Sequence, residues 1–124
     1  VAMVGVGIAA ADPAKVDTKY LEAAFWDKLY TATPKLAVGP LVSSWQGVRY
    51  QQLLGVLMPL LTRMQARRVI VLGAGDSHLP EELCDAGLSD VVAVDFSEEV
   101  VRAMRTRNGD SRPGLQWLVG DVRK

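Results

Sequence analysis

Two glycines and two aspartates hold the chemistry that this sequence offers. Gly73 and Gly75 lie in the run Val-Ile-Val-Leu-Gly-Ala-Gly-Asp-Ser at 69–77, directly after four apolar residues of which three are β-branched. An apolar run without polar alternation suits a strand covered on both faces in a parallel sheet. Glycines at its C-terminal end lack a Cβ, so the backbone can turn tightly and admit a ligand at van der Waals distance. Asp95 closes a second apolar run, Val-Val-Ala-Val-Asp, twenty positions after Gly75. That is the spacing at which a nucleoside-binding fold sets its ribose ligand, and Asp95 can accept from both ribose hydroxyls. Asp121 follows a third run, 115–119, within Gly120-Asp121-Val122. The expectation is three strand ends converging on one crevice.

The elements around these residues are marked by their own signals. Pro80, Glu81 and Glu82 read as a first helical turn, where proline loses no bond and acids favour the dipole. Gly87 is the expected stop of that helix. Ser97 caps the next, with Glu98 and Glu99 in its first turn, Asn108-Gly109 at its end, and Val100, Val101 and Met104 toward the sheet. The order from residue 69 is then β-α-β-α-β, an α/β arrangement whose right-handed crossovers give a parallel sheet in the order 3-2-1. Upstream, residues 17–30 read as a helix with Leu21, Phe25 and Leu29 on one apolar face and Trp26 and Tyr30 on its flank. Residues 31–40 read as a loop. Ser43 or Ser44 caps a second helix through Met58, with Val48, Leu53, Leu54, Leu57, Leu60 and Leu61 on a wide apolar face and Pro59 kinking or restarting it. Residues 1–11 are apolar but far short of the about twenty residues a bilayer span needs, and read as an arm or edge segment.

Composition bounds the partners. A length of 124 residues suits one domain. Fourteen basic and fourteen acidic residues cancel, so no global field favours nucleic acid or an anionic membrane. Cys84 is the single cysteine, which forbids an internal disulfide and favours a reducing compartment, here the cytoplasm. His78 is the single histidine, so zinc-binding spacing is absent and no metal site is expected.

A dinucleotide fingerprint G-x-G-x-x-G is not met, because its third glycine position holds His78, and that argues against NAD. The G-x-G-x-S turn, strand-end acid and Gly-Asp-Val instead resemble the class I S-adenosylmethionine-dependent methyltransferases. Phe25-Trp26-Asp27-Lys28-Leu29-Tyr30 looks like the Tyr-Trp-Asp-x-x-Tyr element of a methyltransferase-like group acting on protein lysines, which includes the lysine methyltransferases of translation elongation factor one alpha. Val71-Leu72-Gly73-Ala74-Gly75-Asp76-Ser77 is similar to that group's Val-Leu-Gly-Cys-Gly-Asn-Ser, and Val94-Asp95-Phe96-Ser97 to its Val-Asp-Tyr-Ser. The resemblance covers about residues 19–124. It implies S-adenosyl-L-methionine as cofactor, a glycine turn (Gly73, Ala74, Gly75) for the methionyl part, Asp95 for the ribose and Asp121 for the adenine amino group. Ser77, Phe96, Val122 and Trp26 support them, and Trp45 forms a wall of the pocket.

The resemblance also implies a Rossmann-like domain organisation: an arm at 1–16, a helical cap at 17–68 and the cofactor-binding half at 69–124, with a protein substrate such as an elongation factor. Phe25, Leu29 and Ala74 depart from the group's tyrosine, arginine and cysteine, and losing the arginine removes a donor for the cofactor carboxylate. A complete class I domain has seven strands and this chain reaches the third, so it reads as the N-terminal half. The run 69–72 is then expected to keep a bare edge open to self-association. No catalytic base can be named among these residues. Two other readings stand beside methyl transfer: a non-catalytic or truncated scaffold that acts through partner contacts, and an aminopropyl transferase with a similar glycine turn.

Overall fold

The computed structural model describes residues 2–5, 18–32 and 50–124. In chain order these form β1 (Ala2–Gly5), a 3-10 turn (Thr18–Leu21), α1 (Ala23–Ala32), α2 (Tyr50–Arg63), β2 (Val69–Leu72), α3 (Leu79–Asp85), β3 (Val91–Asp95), α4 (Glu98–Asn108) and β4 (Leu115–Val119). The strands make one sheet in the order β1-β2-β3-β4, every neighbour parallel. The 3-2-1 order expected from residue 69 onward is thus the order of β4, β3 and β2.

Alternate residues of β2 and β3 are buried, with Val69, Val71, Val91 and Ala93 fully so. Leu79 and Leu83 of α3 and Val100, Val101 and Met104 of α4 join them in the core, and each fully buried aliphatic side chain stabilises the fold by about 1.5–3 kcal/mol. The signals at the helix ends act as expected: Ser97 Oγ accepts from the Val100 N–H at 3.3 Å, and Gly87 and Gly109 take left-handed φ values of 105° and 50°. Register sets the site. Leu72 lies level with Val94 and Asp95 with Val119, so the turns that leave β2, β3 and β4 open on one end of the sheet.

Several expectations need correction. The edge of residues 69–72 is not bare, since β1 pairs along it from Ala2↔Val69 to Gly5↔Leu72. Self-association through that edge therefore loses its basis. The helix read over 17–30 is a 3-10 turn followed by α1, and its packed face is not Leu21-Phe25-Leu29: Leu21 and Leu29 are exposed and no residue of α1 is buried. The cause is polar, because Asp27 is drawn to the start of α4 and turns Trp26, Asp27 and Tyr30 inward. Pro59 lies inside α2, which continues to Arg63, while Leu60 is exposed beside buried Leu61. The caps expected at Ser43 or Ser44 and most of the loop at 31–40 lie outside the described residues, as does Val48.

Candidate cofactor site

The site begins with the turn after β2. Gly73 and Gly75 hold φ of +62° and +54°, a region that costs an L side chain about 1–2 kcal/mol. The Ala74 N–H donates to the Val94 carbonyl at 3.1 Å and fastens the turn to β3. A Cβ on Gly75 would lie 2.7 Å from Tyr30 Oη, so the missing side chain is what lets α1 lie down on the turn. A Cβ on Gly73 would meet nothing within 4 Å, which leaves its Cα open to a ligand.

Asp95 is the centre of the polar network. Its side chain is buried, with Oδ2 accepting from the Gly75 N–H at 2.8 Å and Oδ1 from the Ser97 N–H at 3.0 Å. Burial pushes its carboxyl above the usual aspartate range, the amides of Ser97, Gly75 and Phe96 pull it back, and the nearby charge of Asp27 adds to the rise. A carboxylate offers about four lone-pair positions, so acceptor capacity for ligand hydroxyls remains. Asp121 is engaged differently. Oδ1 accepts from the backbone N–H and Nε of Arg123 at 3.0 and 2.8 Å, and Oδ2 from its Nη2 at 2.6 Å. Those bonds hold the Asp121 carboxyl well below the usual range. The same guanidinium lies 5.5 Å from the Phe96 ring centroid.

Five of the expected residues, Gly73, Asp95, Phe96, Asp121 and Val122, meet in one cleft of about 180 Å³, completed by Tyr20, Leu21, Gly120 and Arg123. The others are placed around it. Gly75 reaches it through its bond to Asp95. Ala74 is buried in the core, and Ser77 is buried with its hydroxyl accepting from the Leu79 N–H at 3.3 Å, at the start of α3. Trp26 stands in the aromatic cluster of Tyr20, Phe25 and Tyr30, its indole N–H donating to the Tyr20 carbonyl at 2.9 Å. Trp45 lies outside the described residues.

Other contributors left little trace in the sequence. Arg107 donates from Nε to Glu81 at 2.7 Å and from Nη1 and Nη2 to the Asp76 and Ser77 carbonyls at 3.0 Å each, so α4 clamps the glycine turn from below. Glu81 also meets His78 Nδ1 at 2.7 Å. Arg107 signals only as a cation in the last turn of a helix, and Tyr20 and Leu21 only as helix-face residues. Among the described residues no cluster of three His, Cys, Asp or Glu could hold a metal, and no helix is long and apolar enough to cross a membrane.

No protein-family profile matches the chain. Individual proteins do match it. The eEF1A lysine and N-terminal methyltransferase of Mus musculus is 33% identical over 108 residues, 87% of this chain and 14% of that protein. The EEF1A lysine methyltransferase 4 of Bos taurus is 36% identical over 104 residues, 84% of this chain and 38% of that protein. The chain belongs to this methyltransferase-like protein-lysine family. A further member, the eEF1A lysine and N-terminal methyltransferase of Homo sapiens, is 34% identical over 98 residues, 79% of this chain and 13% of that protein. The chain thus spans well under half the length of these family members. Its parallel α/β sheet is a partial Rossmann-like methyltransferase fold.

Proposed function

We propose that this chain carries the S-adenosyl-L-methionine-binding half of a methyltransferase that modifies a lysine of a protein, with a translation elongation factor as acceptor and the cytoplasm as its place of action. The observation that supports this most is the cleft in which Gly73, Asp95 and Asp121 meet. The residues suit the cofactor's chemistry: Asp95 keeps acceptor positions for a ribose diol, Gly73 presents a bare Cα to the methionyl part, and Phe96 and Val122 offer apolar surface to adenine. Ala74, Gly75 and Ser77 shape the turn, Trp26 holds the carbonyl of Tyr20, which lines the cleft, and Trp45 is assigned to the pocket by the family resemblance alone. Asp121 receives the adenine amino group only in competition with Arg123, which already uses both of its oxygens.

When bound, the cofactor supplies an electrophilic methyl group on a sulfonium for in-line displacement by an amine. The chain's own part is to align and to exclude water. Buried Asp95 fixes the nucleoside, and Tyr20 and Leu21 narrow the cleft from the α1 side. An acceptor lysine with an ordinary pKa near 10.4 is mostly protonated at neutral pH, so its proton must leave before its lone pair can attack. The acceptor assignment follows the names of the relatives, which specify eEF1A.

Titration with S-adenosylmethionine and S-adenosylhomocysteine, followed by calorimetry and tryptophan fluorescence, tests the reading. Micromolar binding of both is expected. Absence of binding to either overturns it and favours a non-catalytic scaffold, a reading that the occupied Asp121 carboxylate supports.

A further inference from the structure

We propose that Asp27 is the positioning residue of the ligand cleft: through Ser97 it ties the aromatic segment at 20–30 to the same backbone turn that orients Asp95. This deepens the cofactor-binding reading above and rests on it for the ligand alone.

Ser97 is the point where two networks meet. It is fully buried, and its N–H donates to Asp95 Oδ1 at 3.0 Å. Its hydroxyl donates to Asp27 Oδ1 at 2.5 Å while accepting from the Val100 N–H at 3.3 Å. Asp27 Oδ1 also accepts from the Glu99 N–H at 3.4 Å. Asp27 therefore completes the cap of α4 from another helix, a carboxylate set where amides point outward and the dipole favours negative charge.

None of the residues of α1 is fully buried, and of its side chains Tyr30 alone packs against the hydrophobic core. The directional tie is the Asp27–Ser97 bond, and the cleft wall depends on it. Tyr30, one turn after Asp27, rests against Gly75. Trp26 holds the Tyr20 carbonyl at 2.9 Å, and Tyr20 and Leu21 line the cleft. Releasing Asp27 withdraws that wall while Asp95 keeps its own bonds to Gly75 and Ser97.

The test compares Asp27→Ala with Asp27→Asn, which keeps a carbonyl oxygen able to accept from both donors. Amide hydrogen exchange of residues 18–32, read without ligand, should quicken at least tenfold in Asp27→Ala, with β2, β3 and β4 unchanged. Asp27→Asn should restore most of the protection. S-adenosylmethionine affinity should fall about tenfold in Asp27→Ala and recover in Asp27→Asn. Unchanged exchange at 18–32 overturns the tie, and so does a failure of Asp27→Asn to restore it. Faster exchange with unaltered affinity overturns the role in the cleft. A wild-type chain that binds no cofactor while exchange responds as expected refutes the functional reading and leaves the tie confirmed.

Discussion

Gly75→Ala probes the turn most directly, with Gly73→Ala as its control. Both glycines hold left-handed φ, +54° and +62°, so either alanine meets backbone strain of about 1–2 kcal/mol. Their surroundings then separate them. The new Cβ at 73 has no atom within 4 Å, whereas at 75 it would lie 2.7 Å from Tyr30 Oη and 3.8 Å from Cζ. Tyr30 must move aside, and overpacking of this kind costs about 1–3 kcal/mol. Denaturant unfolding should therefore show a loss of about 1–2 kcal/mol for Gly73→Ala and about 2–5 kcal/mol for Gly75→Ala. Tyr30→Phe removes the clashing oxygen and leaves Cζ at ordinary contact distance. In a double-mutant cycle the Gly75→Ala excess should disappear on that background, a coupling of about 1–3 kcal/mol. Equal losses for the two alanines, or an additive cycle, would refute the placement of Tyr30 on the turn.

Ionised Asp95 costs stability above its raised folded pKa, and that cost is relieved as pH falls through it, since the native state then binds more protons than the unfolded chain. Ligand binding runs the opposite way, because protonation turns an acceptor into a donor. S-adenosylmethionine affinity should begin to fall at a pH above the ordinary carboxylate range, with Asp121 still ionised; a flat profile down to that range contradicts the assignment. Arg107→Ala leaves buried Glu81 without its guanidinium, the paired side chains being 12% and 7% exposed. Thermal and denaturant unfolding should register a loss of about 3–5 kcal/mol, and one below about 1 kcal/mol would show that the clamp is dispensable. Arg123→Ala frees Asp121 Oδ2 and leaves Oδ1 only its bond from the backbone N–H of residue 123. Exposed pairs contribute little, so calorimetry should find affinity raised by no more than about fivefold; weaker binding would make Arg123 a ligand contact.

Local signals made half of this architecture readable. Short apolar runs ending in glycine or aspartate located β2, β3 and β4, and Ser97, Gly87 and Gly109 marked helix ends through backbone chemistry confined to a few residues. Convergence of Gly73, Asp95 and Asp121 followed from parallel register alone. What stayed hidden depends on residues distant along the chain. Helical periodicity selects Leu21, Phe25 and Leu29, but one bond from Asp27 to Ser97 outweighs it and turns another face inward. Arg107 looks like an ordinary surface cation until tertiary structure supplies Glu81 and two loop carbonyls, whereas Arg123 pairs locally, folding back on Asp121 two positions earlier. The apolar pattern of residues 2–5 permits a strand without specifying its neighbour.

That neighbour shapes how the sheet assembles. Ala2 pairs with Val69, whereas Val69 pairs with Val91 and Val91 with Leu115. The first closure spans a roughly threefold longer stretch of chain, an added entropic cost of about 1 kcal/mol. The unit from β2 to β4 can therefore nucleate from near neighbours, and the four residues of β1 dock afterwards. Undocking runs in reverse, so this outer rung can detach as a sub-global opening while the three strand ends that frame the cleft stay in register.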